Sequence, residues 1–216
     1  MTKEAIVIAG SRGIGNAIAE SLIEAGLSVT ATSKKDLDTS DLHSVEDFIN
    51  SNPETDVLVL NTGGPPAIDF YEIQQDDFLK YHNQLFLSFC LMLQNIKVRD
   101  GGYVFLVSSF NIKEPNEKLL LSNSYRIAFT SVLKSLSKKL AERNVTCINL
   151  APGPIKTERL YNLVDNMEEF EKQLPLGRAA EPNELGVLVK AIVENNIKYL
   201  NGVTINFDGG HSNYVL

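Results

Sequence analysis

Residues 5–15 read Ala-Ile-Val-Ile-Ala-Gly-Ser-Arg-Gly-Ile-Gly, and this stretch decides the fold. The apolar, β-branched run Ala5–Ile8 suits a strand buried on both faces. Gly10-x-x-Gly13-x-Gly15 follows at once, and the spacing from Asn16 to Ala25 is helical. At such a turn, glycines let backbone amides and a helix N-terminus approach a pyrophosphate; a plain tight turn is the competing reading. Further β-branched runs follow at 28–31, 57–60, 103–107, 145–148 and 203–207, alternating with helical spacing over 44–51, 76–95, 122–142 and 181–194. This alternation predicts an α/β, doubly wound parallel sheet of about seven strands with helices on both faces, in a single domain spanning 1–216. Gly26 is placed to stop the first helix, Ser44 with Asp47 resembles a capping box, and Pro182 sits in the first turn of the last long helix.

The strands share one kind of ending. Gly10–Gly15, Ser33-Lys34-Lys35, Asn61-Thr62-Gly63-Gly64-Pro65-Pro66, Ser108-Ser109, Asn149–Gly153 and Asp208-Gly209-Gly210 all supply glycine, hydroxyl or amide groups. In an open parallel sheet the crevice beyond the carboxyl ends binds ligands, so these loops are expected to surround one site.

Composition narrows the partners. Twenty Lys plus Arg stand against 27 Asp plus Glu, a net charge of −7, with no basic tract for phosphate neutralisation, so nucleic acid is not an expected partner. No window reaches 18 apolar residues and the first apolar run is too short for a signal peptide, so no membrane association and a cytoplasmic location are expected. Cys90 and Cys147 read as buried thiols of a reducing compartment, and the three histidines form no metal-binding spacing, so no metal is expected.

The motifs resemble those of the short-chain dehydrogenase/reductase family over nearly the whole chain. Ala9–Gly15 resembles the family's glycine turn, with Gly10, Ser11, Arg12, Gly13, Ile14 and Gly15 as cofactor-binding candidates. Asp41-Leu42 looks like its adenine-contacting pair, and Asn61-Thr62-Gly63 like its Asn-Ala-Gly element. Pro152-Gly153-Pro-Ile155-Lys-Thr157, Pro175 to Glu184, and Asn201 to Gly210 resemble its later motifs. The nearest members by pattern are the 3-oxoacyl-(acyl-carrier-protein) reductase-like ones. The resemblance implies a Rossmann-like sheet, a nicotinamide cofactor, hydride transfer to or from a small-molecule carbonyl or alcohol, and a homodimer or homotetramer.

Two departures stand out. Ile8 and Ala9 occupy the slots of the family's Thr and first Gly, and the Tyr-x-x-x-Lys of its catalytic helix is absent: ungapped alignment puts Arg126 in the Tyr slot and Thr130 in the Lys slot. Tyr125 is one residue early, and no lysine lies four residues beyond it. By resemblance, Ser109 orients the substrate carbonyl and Asn83 anchors a proton-relay water. The polar contact opposite the hydride is then either Arg126, which stays charged and can hydrogen-bond an alkoxide or carboxylate, or Tyr125, if extra residues before the helix rotate it inward. Ser33, Lys34 and Arg12 favour NADP (NADPH) over NAD through the 2′-phosphate, with Asp36 as an opposing group. The segment 156–175 is expected either to cover the substrate as a lid or, for Leu163 and Phe170 in particular, simply to pack into the core. The rival is a non-catalytic dinucleotide-binding sensor or assembly protein that has lost the catalytic pair.

Overall fold

The computed structural model describes residues 2–215. In chain order it contains β1 (Glu4–Val7), α1 (Gly13–Glu24), β2 (Ser28–Ala31), α2 (Leu42–Ser51), β3 (Glu54–Leu60), α3 (Gln75–His82), α4 (Ser88–Asn95), β4 (Lys97–Val107), α5 (Leu120–Ala141), β5 (Thr146–Pro152), α6 (Glu158–Leu163), α7 (Met167–Gln173), α8 (Pro182–Glu194) and β6 (Val203–Phe207). The six strands form one parallel sheet in the order β2-β1-β3-β4-β5-β6. The order reverses at β1, so the crevice between the β1 and β3 loops is the topological switch point.

Alternation along the strands sorts the core into two layers. Val7, Val59, Phe105 and Ile148 point to one face, where Ile18 and Leu22 of α1 and Leu185 and Val189 of α8 cover them. Ile6, Leu58, Leu60, Val104 and Cys147 point to the other, against Val45 of α2, Phe89 and Met92 of α4 and Phe129 of α5. Cys147 is buried and its thiol is pushed up to about 12 by desolvation, whereas Cys90 is only half-buried. No helix is long and apolar enough to cross a membrane among the described residues.

The sequence predicts about seven strands, and six are present among the described residues. Between β2 and α2 the chain is consumed by side-chain-stabilised turns: Asp36 accepts from the Ser33 amide and hydroxyl, and Asp38 from those of Ser40. Such local bonds compete with a strand ladder, so β2 remains an edge. The expected Ser44–Asp47 capping box is also replaced. Asp41 caps α2 by accepting from the His43 amide, while the Ser44 hydroxyl accepts from the Asp38 amide. The helix expected over 76–95 is interrupted by a π turn at Asn83–Leu87. The C-terminal motif around α8 is a structural lock: Arg178 forks onto Glu184 at 2.7 and 2.9 Å, and Glu184 accepts from the Glu181 amide at 2.8 Å.

Candidate active site

The glycine turn is built by close approach. A Cβ on Gly10 would stand 2.8 Å from the Val7 carbonyl and from Ala31, and one on Gly15 would strike the Ala9 carbonyl and stand 2.8 Å from Asn61 Nδ2. Gly13 has φ +55°, which favours glycine. Ala9 has φ +49°, so the turn demands a left-handed residue where this chain carries a methyl group. Its amide is held by the Thr32 hydroxyl at 2.9 Å. Helix α1 starts at Gly13 with no side-chain cap and no acidic residue in its first turn. Its leading amides are therefore available to an anion, and the residues present fit a dinucleotide pyrophosphate. Ser11 and Arg12 are exposed, and Ile14 packs on the core below.

The Pro152–Thr157 loop lies beside this turn, with Thr157 Cγ2 3.4 Å from the position of a Gly13 Cβ. Gly153 lies against Asp208, and buried Ile155 bridges to Ala180. Arg12 is bound to Glu158 at the start of α6 at 2.6 Å, a largely exposed pair, and Lys34 to the partly buried Asp38 at 3.3 Å. Ser33 is engaged with Asp36, whose carboxyl those hydrogen bonds hold below its ordinary range. Asp41, with Leu42 beside it, is committed to capping α2. Thr39 instead reaches the crevice, its hydroxyl 3.1 Å from that of Thr62.

The Asn61–Pro66 loop is the most heavily tethered part of the crevice. Asn61 Nδ2 donates to the Ala9 carbonyl at 3.4 Å, joining the β1 and β3 loops across the switch point. Gln84 donates to the Gly63 carbonyl at 2.7 Å and to the Thr62 hydroxyl at 3.3 Å. Asn83, the expected water anchor, starts the π turn, and Gln84 is the residue that turn delivers to the loop. π turns recur at functional sites because they re-aim side chains.

Arg126, only 8% exposed, lies beneath this loop. Nη1 donates to the Val107 carbonyl at the end of β4 at 2.7 Å, Nη2 to the Thr62 carbonyl at 3.2 Å, and Nε to the Ser122 hydroxyl at 3.2 Å. Burial, with the nearby charge of Arg159, pulls its pKa down to about 10, which leaves it cationic at neutral pH. Arg159 of α6 donates to the Gly64 and Pro65 carbonyls at 3.1 and 2.8 Å.

Ser109 follows β4 and accepts from the Asn111 amide at 3.2 Å, leaving its own proton free to donate. Tyr125 is not turned inward. Its hydroxyl donates to the Phe78 carbonyl of α3 at 3.1 Å, its ring meets His82 edge to face, and burial pushes the phenol up. Thr130 returns its hydroxyl to the Arg126 carbonyl of its own helix. Asn123 Oδ1, one turn before Arg126, is buried without a donor.

Thr39, Gln84 and Arg159 thus join the crevice without having been singled out from the sequence. Each stands close in sequence to a residue that was: Asp41, Asn83 and Thr157. The signal was present within one or two positions, and turn geometry decided which neighbour reached inward.

The comparisons agree with this architecture. A family model described as enoyl-(acyl carrier protein) reductase matches residues 37–212. The 3-oxoacyl-[acyl-carrier-protein] reductase of Chlamydia trachomatis is 25% identical, covering 97% of each chain. The acetoacetyl-CoA reductase of Shinella zoogloeoides is 25% identical over 97% of this chain and 98% of its own. Among solved structures, a blue fluorescent protein from a metagenomic library in complex with NADPH superposes with a TM-score of 0.87 at 22% identity, covering 98% of both chains. With its parallel sheet, glycine turn and strand-end crevice, the chain belongs to the short-chain dehydrogenase/reductase family and is 3-oxoacyl-(acyl-carrier-protein) reductase-like.

Proposed function

We propose that the whole chain acts as one NADP(H)-dependent oxidoreductase unit that reduces a small ketone or 3-oxoacyl-type carbonyl, or oxidises the corresponding alcohol, with Arg126 in place of the family's tyrosine. The observation that carries the reading is the buried Arg126 guanidinium held across the ends of β3 and β4. Gly10, Gly13, Gly15 and the open start of α1 would hold the pyrophosphate, with Thr157 beside them. Asn61, Thr62, Gly63, Pro152 and Gly153 would line the nicotinamide end, and Thr39 the adenine side. The bound coenzyme supplies or accepts the hydride. Ser109, oriented by the Asn111 amide, donates its hydroxyl proton to the substrate oxygen as a hydrogen bond. Arg126 has five N–H groups and spends three on protein acceptors, so it can donate another to the same oxygen as negative charge develops. A guanidinium that stays charged stabilises the alkoxide without giving up a proton, and the completing proton comes from solvent.

NADP is preferred over NAD in this reading because Arg12 in the glycine turn and Lys34 just past β2 are exposed cations whose carboxylate partners are themselves solvent-exposed or partly so. A 2′-phosphate can compete for them. The family's usual assembly, together with exposed Ile127 on α5, supports a homodimer or homotetramer, to be read by light scattering.

The test is the loss of NADPH absorbance with purified protein and a panel of diketones, 3-oxoacyl thioesters, aldehydes and free oxo acids. Turnover that falls at least about a hundredfold in Arg126→Met is expected, in line with the loss of one oxyanion donor. Saturable NADPH binding with no turnover across the panel would favour the second reading, a coenzyme-binding sensor. Thr130 speaks for that alternative, since its hydroxyl is spent on its own helix where a lysine would act.

A further inference from the structure

Four of the six arginines, Arg12, Arg99, Arg143 and Arg178, stand 2.6 to 2.9 Å from a carboxylate. Arg126 and Arg159 have no carboxylate within ion-pair distance among the described residues, although acidic residues outnumber basic ones by seven in the chain. Both are held to the same loop by neutral carbonyls: Thr62 for Arg126, and Gly64 and Pro65 for Arg159. Carbonyls satisfy the N–H groups and leave the charge uncompensated, and a desolvated charge without a counter-ion is costly. The two guanidiniums also lie within Coulombic range of each other, which adds to that cost.

The seat of Arg159 is shaped for it. A Cβ on Gly64 would stand 2.8 Å from both Cζ and Nη2 of Arg159, so the guanidinium lies against bare backbone. It donates once from each terminal nitrogen and keeps three N–H groups; Arg126 keeps two. Two cations with spare donors, converging on the loop that leads into the crevice, form an arrangement that a carboxylate completes through charge-assisted hydrogen bonds.

We propose that Arg126 and Arg159 form the seat of a carboxylate carried by the carbonyl substrate, so that this protein acts on a free oxo acid in preference to a neutral ketone or a thioester. The inference rests on the oxidoreductase reading above and names its substrate class. The carboxylate takes the free N–H groups of Arg159 and one of the two left on Arg126, while the other Arg126 N–H stays with the substrate's carbonyl oxygen beside Ser109. The other possible source of an oxyanion is a coenzyme phosphate, and the experiment separates the two.

Full-length protein saturated with NADP⁺ is titrated calorimetrically with acetoacetate and, separately, with methyl acetoacetate, at low salt. The acid is expected to bind at least about tenfold more tightly than the ester, and the ratio is expected to fall to within about twofold in Arg159→Gln and in Gly64→Ala, with ester affinity retained. Arg159 is partly buried but lies outside both core layers, so its replacement leaves them untouched. Equal affinities for acid and ester in the unaltered protein overturn the proposal. So does an Arg159→Gln variant that loses NADP⁺ affinity while keeping the acid-over-ester ratio, because the cations would then serve the coenzyme. A separate NADP⁺ titration without heat would sink the oxidoreductase reading alone; an acid-over-ester preference in the coenzyme-free protein, lost in Arg159→Gln, would still support the carboxylate seat.

Discussion

The backbone carbonyl of Ala9 occupies the space that a Cβ on Gly15 would need. That one approach couples two features of the phosphate turn: residue 15 has to be glycine, and residue 9 has to hold a left-handed backbone that aims its carbonyl across the start of α1. Gly15→Ala is expected to open the turn and weaken dinucleotide binding by more than about tenfold, because the clash is with backbone and cannot be relieved by a side-chain rotation. Fluorescence titration with NADPH measures it, and unchanged affinity would separate this turn from the coenzyme.

Ala9 supplies the complementary prediction. A non-glycine residue at φ +49° costs about 1–2 kcal/mol, and glycine recovers that less the roughly 0.4–1 kcal/mol of extra unfolded-state entropy. Ala9→Gly should therefore stabilise the fold by about 0.5–1 kcal/mol in urea denaturation. A lower midpoint would mean that the methyl group makes compensating contacts.

Tyr125 should behave as a packing residue. Its hydroxyl is bonded to the Phe78 carbonyl and its ring to His82, so Tyr125→Phe removes one hydrogen bond worth about 1 kcal/mol of stability. Turnover is expected to remain within about twofold of the unaltered protein. A rate loss on the scale of Arg126→Met would show that the phenol leaves α3 during the reaction.

Gln84 is the tether between the π turn and the Thr62–Gly63 backbone. Gln84→Ala removes two hydrogen bonds and leaves the Gly63 carbonyl without this partner, a loss of about 1–2 kcal/mol in positioning the loop. KM for the coenzyme should rise about fivefold to thirtyfold, whereas Asn83→Ala should change it little. The opposite ranking would restore Asn83 as the functional amide.

Acid stability tests the lock before α8. Arg178 and the Glu181 amide hold the Glu184 carboxyl down to about 2, below its ordinary 4.5. A depressed folded-state value means that the contribution is complete above about pH 4.5 and is lost as pH falls through about 2. Glu184→Gln should lower stability at pH 7 by about 0.5–2 kcal/mol through the weakened cap and fork, and the difference from the unaltered protein should shrink on acidification. A pH-independent difference would assign the effect to packing.

Much of the architecture was readable from local chemistry. The β-branched runs, the helical spacing and Pro182 at the start of α8 agree with the observed elements because each depends on neighbouring residues along the chain. All six quoted runs became strands and no seventh formed among the described residues; after β2, Ser33 pairs with Asp36 and Asp38 with Ser40 in local turns rather than extending the sheet. Asp41 caps α2 through one carboxylate oxygen, a local role that a carboxylate just ahead of a helix ordinarily takes and that leaves its other oxygen free for a ligand.

By itself, then, the amino-acid order determined the alternating parallel sheet, the glycine cradle and the missing tyrosine–lysine pair, since all three are properties of short segments. Only the tertiary structure decided that Arg126 lies under the Thr62 carbonyl, that Arg159 comes from ninety-odd residues away to the same loop, and that Tyr125 faces α3. Which side of α5 meets the crevice depends on how that helix rotates against α3 and the ends of β3 and β4. That rotation is set by packing between elements distant in sequence, and no local pattern encodes it.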